Sequence, residues 1–197
     1  VMGVARGRSC LLVLLASGAG ALHAPLYRPA RRAHPVAIER ALEQLVAQWP
    51  TFVPQDASSS KCVCGSGGTY AECCKPFHDG ALKPESATRV LQTRYSAFAY
   101  RLPLHLMRTT HWSNPEYSDD LVEWAQRQNR NMFDQYNFLR IEPGAEEAGS
   151  TPDEAFITFR VVLAHIETMA ELAFTERSRF VRDGEEWFYA GGEMLQE

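Results

Sequence analysis

The spacing of apolar residues changes character twice along the chain. From Val36 onward, Ile38, Ala41, Leu42, Leu45 and Trp49 recur every three or four positions, and Glu39, Arg40, Glu43 and Gln44 take the other side. That is an amphipathic helix, ended by Pro50. A single apolar stripe suits a helix that docks on a folded body; a helix offered to a partner is the alternative. Residues 51–60, TFVPQDASSS, lack periodicity and read as a flexible joint. Pro84 and Glu85 then open a helix in which Ala87, Val90, Leu91, Arg94, Phe98 and Leu102 share a face, with Arg94 the one cation among them. A short helix is predicted from about Leu104 to Thr110. Asn114-Pro115-Glu116 supplies a cap, a first-turn proline and an early acid for a long helix reaching about Gln135, with Leu121, Trp124 and Met132 inward.

After Tyr136 the period falls to two. FLRIE, EAFITFRVVLAH, AELAFTERSRFV and EWFYAGG are four strand candidates rich in aromatic and β-branched residues. The stretch EPGAEEAGSTPDE reads as the loop between the first two, and Arg182-Asp183-Gly184 as a hairpin turn between the last two. Helices followed by an antiparallel meander predict an α+β domain in which helices cover one face of a curved sheet. On the third strand Leu172, Phe174, Glu176, Ser178 and Phe180 share a face. A carboxylate on an apolar face needs a partner, because an unpaired buried charge costs about 3–5 kcal/mol. Arg94 is the candidate, and a pair between Arg94 and Glu176 inside the cone is expected.

Between the first helix and the domain lies KCVCGSGGTYAECCKPFH, residues 61–78, with Cys62, Cys64, Cys73 and Cys74 spaced as C-x-C, eight residues, C-C. Disulfides would have to run between the two pairs, since neighbouring cysteines bridge only through strained rings. A redox-active C-x-x-C is absent. A metal is the third reading: Zn²⁺ takes four thiolates in a tetrahedron, and two close pairs across a loop can supply them. Gly65, Gly67 and Gly68 allow the loop to fold tightly and turn N–H groups toward sulfur, and Lys61 and Lys75 place positive charge nearby. Geometry and glycine placement favour one structural Zn²⁺ on Cys62, Cys64, Cys73 and Cys74, with His78 a possible substitute for Cys74. Four protein ligands leave no position for water.

CVCGSGGTYAECC resembles the SEC-C zinc-binding motif. The continuation KPFHDG, then RVLQTRYSAFAYR, TTHW and FTERSRFVRDGEEWFYAGG, resembles the YchJ-like family over residues 61–192. The resemblance implies a zinc knuckle at 61–80 followed by a nuclear-transport-factor-2-like (NTF2-like) cone at 84–192. It implies no settled biochemical role.

Charge separates the first 35 residues from the rest. They hold Arg6, Arg8, Arg28, Arg31 and Arg32 and no acid, so of the formal net charge of −4 the remainder carries −9. An acidic body disfavours nucleic acid as a partner. The apolar run from Cys10 to Ala16, the small residues Ala19-Gly20-Ala21 and the basic, proline-broken LHAPLYRPARRAHP form a cleavable two-part presequence over 1–35, too short in its apolar part to span a bilayer. Such a leader fits a plastid reached through the secretory route or simple secretion; thiolates need a reducing compartment, which favours the plastid. Residues 36–60 are then the docking helix and its joint.

Two functions remain. The first is a non-catalytic zinc-containing adaptor whose knuckle binds a protein. The second is an enzyme or ligand-binding protein using the cone, with Glu176, Tyr95 and His111 as candidate acid–base groups beside Arg94 and Ser178. No nucleophile elbow, phosphate loop or dinucleotide fingerprint occurs.

Overall fold

The computed structural model describes residues 36–130 and 135–196. The presequence expected over 1–35 and the inward position of Met132 lie outside the described residues.

Four antiparallel strands form a meander in the order β1 (Tyr136–Ala148), β2 (Glu154–His165), β3 (Glu171–Asp183) and β4 (Glu186–Leu195). β1 is far longer than FLRIE: it continues through EPGAEEA, the stretch expected to be a loop, and pairs with β2 as far as Ala148 opposite Ala155. Pro143 and Gly144 caused the misreading. They lie at a register shift on the edge strand, where a bulge removes the need for the missing proline N–H. Another irregularity, between Arg179 and Phe180, interrupts the β3–β4 ladder, and such bulges bend a sheet. On the outer face Arg177 pairs with Glu147 and Arg179 with Glu154.

Helix α3 (Ala87–Tyr100) crosses the inner face. Ser86 caps it by accepting from the Arg89 N–H, and Arg101, left-handed at φ 60°, closes it. Ala87, Val90, Leu91 and Tyr95 pack with Ile157, Phe159, Val161, Leu163, Phe180 and Trp187 into the main core; full burial of one such large side chain contributes about 1.5–3 kcal/mol. The short α4 (Pro103–Arg108) follows. The segment after it covers the β4 edge: Tyr189 N–H donates to Thr109 O and His111 N–H to Tyr189 O.

The helix expected from Pro115 begins instead at Leu121. Asn114 Oδ1 accepts from the Glu116 N–H and closes a turn there, while Asp120 caps α5 (Leu121–Gln128) by accepting from Glu123. Helix α1 (Val36–Val46) docks on the body as its stripe predicts: Leu42, Val46 and Trp49 meet Met107, Trp124 and Ala125 of α4 and α5. Residues 51–60 are held rather than loose. Phe52 N–H donates to Tyr100 O, Ala71 N–H to Ala57 O, and the Asp56 carboxylate caps Ser58 and Ser59. No helix among the described residues is long and apolar enough to cross a membrane.

Candidate metal centre and enclosed cavity

A tight hairpin carries the C-x-C pair. Lys61 bridges Thr69, and Cys62 N–H donates to Gly68 O. The turn requires Gly65 and Gly67, at φ +82° and +85°, a conformation that side chains disfavour. The chain then turns back through Cys73 N–H to Thr69 O and delivers Cys73 and Cys74 to the start of the four-residue α2 (Lys75–His78). All four thiols are buried and unlinked.

Their sulfurs lie within 4.8 Å of one another, with Cys64 to Cys73 at 3.5 Å and Cys73 to Cys74 at 3.8 Å. A tetrahedral Zn²⁺ with Zn–S bonds of about 2.3 Å sets sulfurs about 3.8 Å apart, so this donor set fits a metal ion. Crowding polarises the thiols. Hydrogen bonds from Cys62 and Cys74 hold Cys64 far below the ordinary thiol range; the same pairing pushes Cys62 up to about 12 and Cys74 higher still. A divalent ion would stabilise all four as thiolates.

The groups around the sulfurs differ in part from expectation. Ser66 donates its backbone N–H to Cys64, and its hydroxyl lies 3.0 Å from Cys73 Sγ. Positive charge comes from Arg89 of α3, which donates to Cys73 at 3.7 Å, whereas Lys75 turns outward to pair with Asp79. His78 is placed behind the cluster. Its Nε2 lies 3.0 Å from Thr93 O, an acceptor only, so Nε2 carries the proton and Nδ1 accepts from Tyr70 at 2.9 Å. Burial lowers its pKa. Both ring nitrogens are thus engaged, and the metal donors brought together are the four cysteines.

The polar centre of the cone surrounds a cavity of about 170 Å³. Arg94, Tyr95, Glu176 and Ser178 all line it, while His111 is not among the lining residues. The His111 ring lies beside Trp112 and Phe188, with Nδ1 2.7 Å from the Ser113 hydroxyl. The expected direct pair of Arg94 and Glu176 is corrected: no ion pair joins them among the described residues. Arg94 Nη1 donates to Leu106 O at 2.8 Å and to the hydroxyls of Thr109 and Thr110 at 3.0 Å, and the guanidinium rests 4.4 Å from the Tyr189 ring centre. Glu176 Oε1 accepts from Ser178 and, at 3.1 Å, from Tyr189. The two charges act on each other across Tyr189. Burial raises the Glu176 pKa against the hydrogen bonds and the Arg94 charge, and burial lowers that of Arg94 to about 10. Both groups retain accessible surface because they face the cavity rather than bulk solvent.

Sequence reasoning missed Tyr189, Thr109 and Thr110. Only the pairing of the post-α4 segment with β4 brings them to Arg94, and no local pattern encodes that pairing. Among the described residues, the Tyr95 hydroxyl and Trp124 Nε1 are buried without hydrogen-bond partners.

A family model described as the YchJ middle NTF2-like domain matches residues 86–192. A UPF0225 protein of Streptomyces avermitilis is 33% identical over 152 residues, which cover 75% of this chain and 91% of that one. Another, from Sodalis glossinidius, is 33% identical over 138 residues, 69% of this chain and 84% of that one. Among solved structures, a SEC-C motif containing protein from Rhodopseudomonas palustris is similar with a TM-score of 0.56 at 24% identity, over 68% of this chain and 98% of that one. One from Psychrobacter arcticus reaches a TM-score of 0.50 at 21% identity, over 71% and 82%. These two likenesses speak to the fold alone, and with the family model they support an NTF2-like α+β domain preceded by a cysteine knuckle. With the domain model spanning over half of the sequence and a relative matched along nine-tenths of its length, the chain belongs to the YchJ family.

Proposed function

We propose that the protein is a non-catalytic adaptor in which one structural Zn²⁺ on Cys62, Cys64, Cys73 and Cys74 rigidifies the knuckle for binding a protein partner. The observation that carries this reading is the buried set of four mutually close thiols. It leaves no vacant position for a reacting water and is fixed by Ser66 and Arg89. Val63, between the first two ligands, is exposed and apolar, as a contact residue would be. The test is elemental analysis of purified protein, followed by capture of partners with the parent and with Val63→Asp. One zinc per chain, and specific partners lost on Val63→Asp with zinc retained, is the expected result. Sub-stoichiometric zinc with thiols oxidised in pairs, or partners indifferent to the substitution, overturns it.

The plastid is the proposed compartment, supported by the two-part leader and by the need of thiolates for reducing surroundings. A fluorescent fusion to residues 1–50 should enter plastids; export to the medium overturns the assignment.

A further inference from the structure

Most of the wall of the cavity is aromatic or aliphatic, with Phe138, Phe159 and Phe174 among its residues. Seven polar residues interrupt it, Arg94 and Glu176 among them, and each of these two spends only part of its hydrogen-bonding capacity on the protein. The bonds of Arg94 leave from Nη1, so Nε and Nη2 have no protein partner among the described residues, and they are not sealed from the cavity. Glu176 accepts its bonds at Oε1, which leaves Oε2 open in the same sense.

The unused edge of Arg94 is specific in shape. Nε and Nη2 form the fork that takes a carboxylate through two parallel bonds. Anchoring α4 uses Nη1 alone and leaves this fork idle, and an idle polar edge in an apolar chamber is a cost that a ligand or water must relieve. The volume limits the guest. A cavity of about 150 Å³ admits a benzene, so about 170 Å³ takes one six-membered ring with a short polar arm.

We infer that the cone binds a monocyclic carboxylic acid of benzoate size, its carboxylate forked on Arg94 Nε and Nη2 and its ring among Phe138, Phe159 and Phe174. Two acids on the wall oppose an incoming anion, Glu176 and Glu116. Burial favours the neutral form of Glu176, in which Oε2 can donate a hydrogen bond to the guest instead of repelling it. This site is independent of the metal centre, and its failure would leave the adaptor reading untouched.

The test is a titration of the full-length, metal-loaded protein with benzoate and with benzamide, its uncharged isostere, followed by nuclear magnetic resonance of the aromatic side chains. Benzoate should shift Phe138, Phe174 and Tyr189 and bind at least about ten-fold tighter than benzamide, the difference a charge-assisted hydrogen bond makes. Arg94→Lys keeps the charge and loses the fork; it should weaken benzoate by about ten-fold or more, leave benzamide unchanged and retain the metal. Should Arg94→Lys fail to fold, the comparison of the two ligands on the parent decides alone. No shift with benzoate at tens of millimolar, equal binding of benzamide, or a folded Arg94→Lys that binds like the parent would overturn the inference and leave the cavity a water-filled space.

Discussion

Gly192 offers a direct test of how the buried carboxyl is held. It pairs with Ser178 across the β3–β4 ladder, and the Glu176 side chain lies over its α-carbon. A methyl at this position would overlap Glu176 Oε1 and stand 2.7 Å from Cδ. Its φ is not in the left-handed region, so contact and not backbone conformation demands the glycine. A carboxylate on a flexible stem could normally step aside, but here the step breaks the bonds from Ser178 and Tyr189 in a place without bulk water. Each net bond of this kind is worth about 1–1.5 kcal/mol, so the loss is about 2–3 kcal/mol. Reduced freedom of the unfolded chain returns about 0.5 kcal/mol. Gly192→Ala should therefore destabilise by about 2 kcal/mol, read from urea unfolding followed by circular dichroism. In a Glu176→Ala background the obstructing atoms are gone and the same change should cost nothing. The coupling in this double-mutant cycle is then about 2 kcal/mol. If Gly192→Ala costs the same in both backgrounds, or less than about 0.5 kcal/mol in the parent, the carboxyl is not held as described.

Three further outcomes are expected. Gly144→Ala on β1 places a methyl 2.6 Å from Thr158 O, a backbone atom that cannot rotate away; it should cost about 2 kcal/mol and lower hydrogen-exchange protection around residues 143–147, and full protection would refute the close approach. His105 is buried, its Nε2 has no hydrogen-bond partner among the described residues, and burial first, then the charge of His78, hold its pKa well below 6.5. Below pH of about 6.5 the unfolded chain gains a proton that the folded chain refuses, so this contribution to stability is present at neutral pH and lost on acidification, by up to about 1.4 kcal/mol per pH unit. His105→Phe should flatten that slope in unfolding midpoints measured from pH 7 to 5.5; an unchanged slope would exonerate His105. Arg89→Met removes the cation beside Cys73 and should weaken zinc binding about ten-fold in competition with a chromogenic chelator, with equal affinity counting against the contact.

What the sequence disclosed follows from what is local. The four strands, the α1 stripe and the approach of the four cysteines are written in spacing, because alternation and adjacency survive folding. The inward face of β3 was legible for the same reason: alternation places Glu176 and Ser178 beside Phe174 and Phe180, and the cavity is lined by all four. The errors arise where a local signal had two physical readings. Pro143-Gly144 signals a turn, yet an edge strand absorbs the pair in a bulge. Asn114-Pro115 signals a helix start, yet the Asn114 side chain closes a turn and Asp120 wins the capping role. The partners of Arg94 were out of reach because Leu106 comes from the packing of α4 against α3 and Thr109 and Thr110 from the segment after α4 that pairs with β4, and nothing nearby in sequence announces either.

Helix α3 shows why one stripe was not enough. Its apolar face fits the sheet, and by amphipathic logic the opposite face should be wet. Thr93 and Ser96 lie on that side and are fully buried, because the knuckle covers them. Polar residues serve there because the knuckle brings polar atoms to them. His78 donates toward Thr93 O and Ser96, Cys74 Sγ reaches Gln92 O, and Arg89 reaches Cys73 while lying over the Phe77 ring. Tyr70 closes the contact edge-on against Tyr100. The same fourteen-residue helix presents Leu91, Arg94, Tyr95 and Phe98 to the cavity. The cysteine knuckle and the cavity therefore share α3 as a wall, and removal of a metal held by the four thiols would release the polar side of α3 before it touched the apolar one. Chelation should raise hydrogen exchange first in 61–80 and at Gln92, Thr93 and Ser96, with β2 and β3 still protected; simultaneous loss across the sheet would mean that the knuckle is part of the main core and not a separate layer laid upon it.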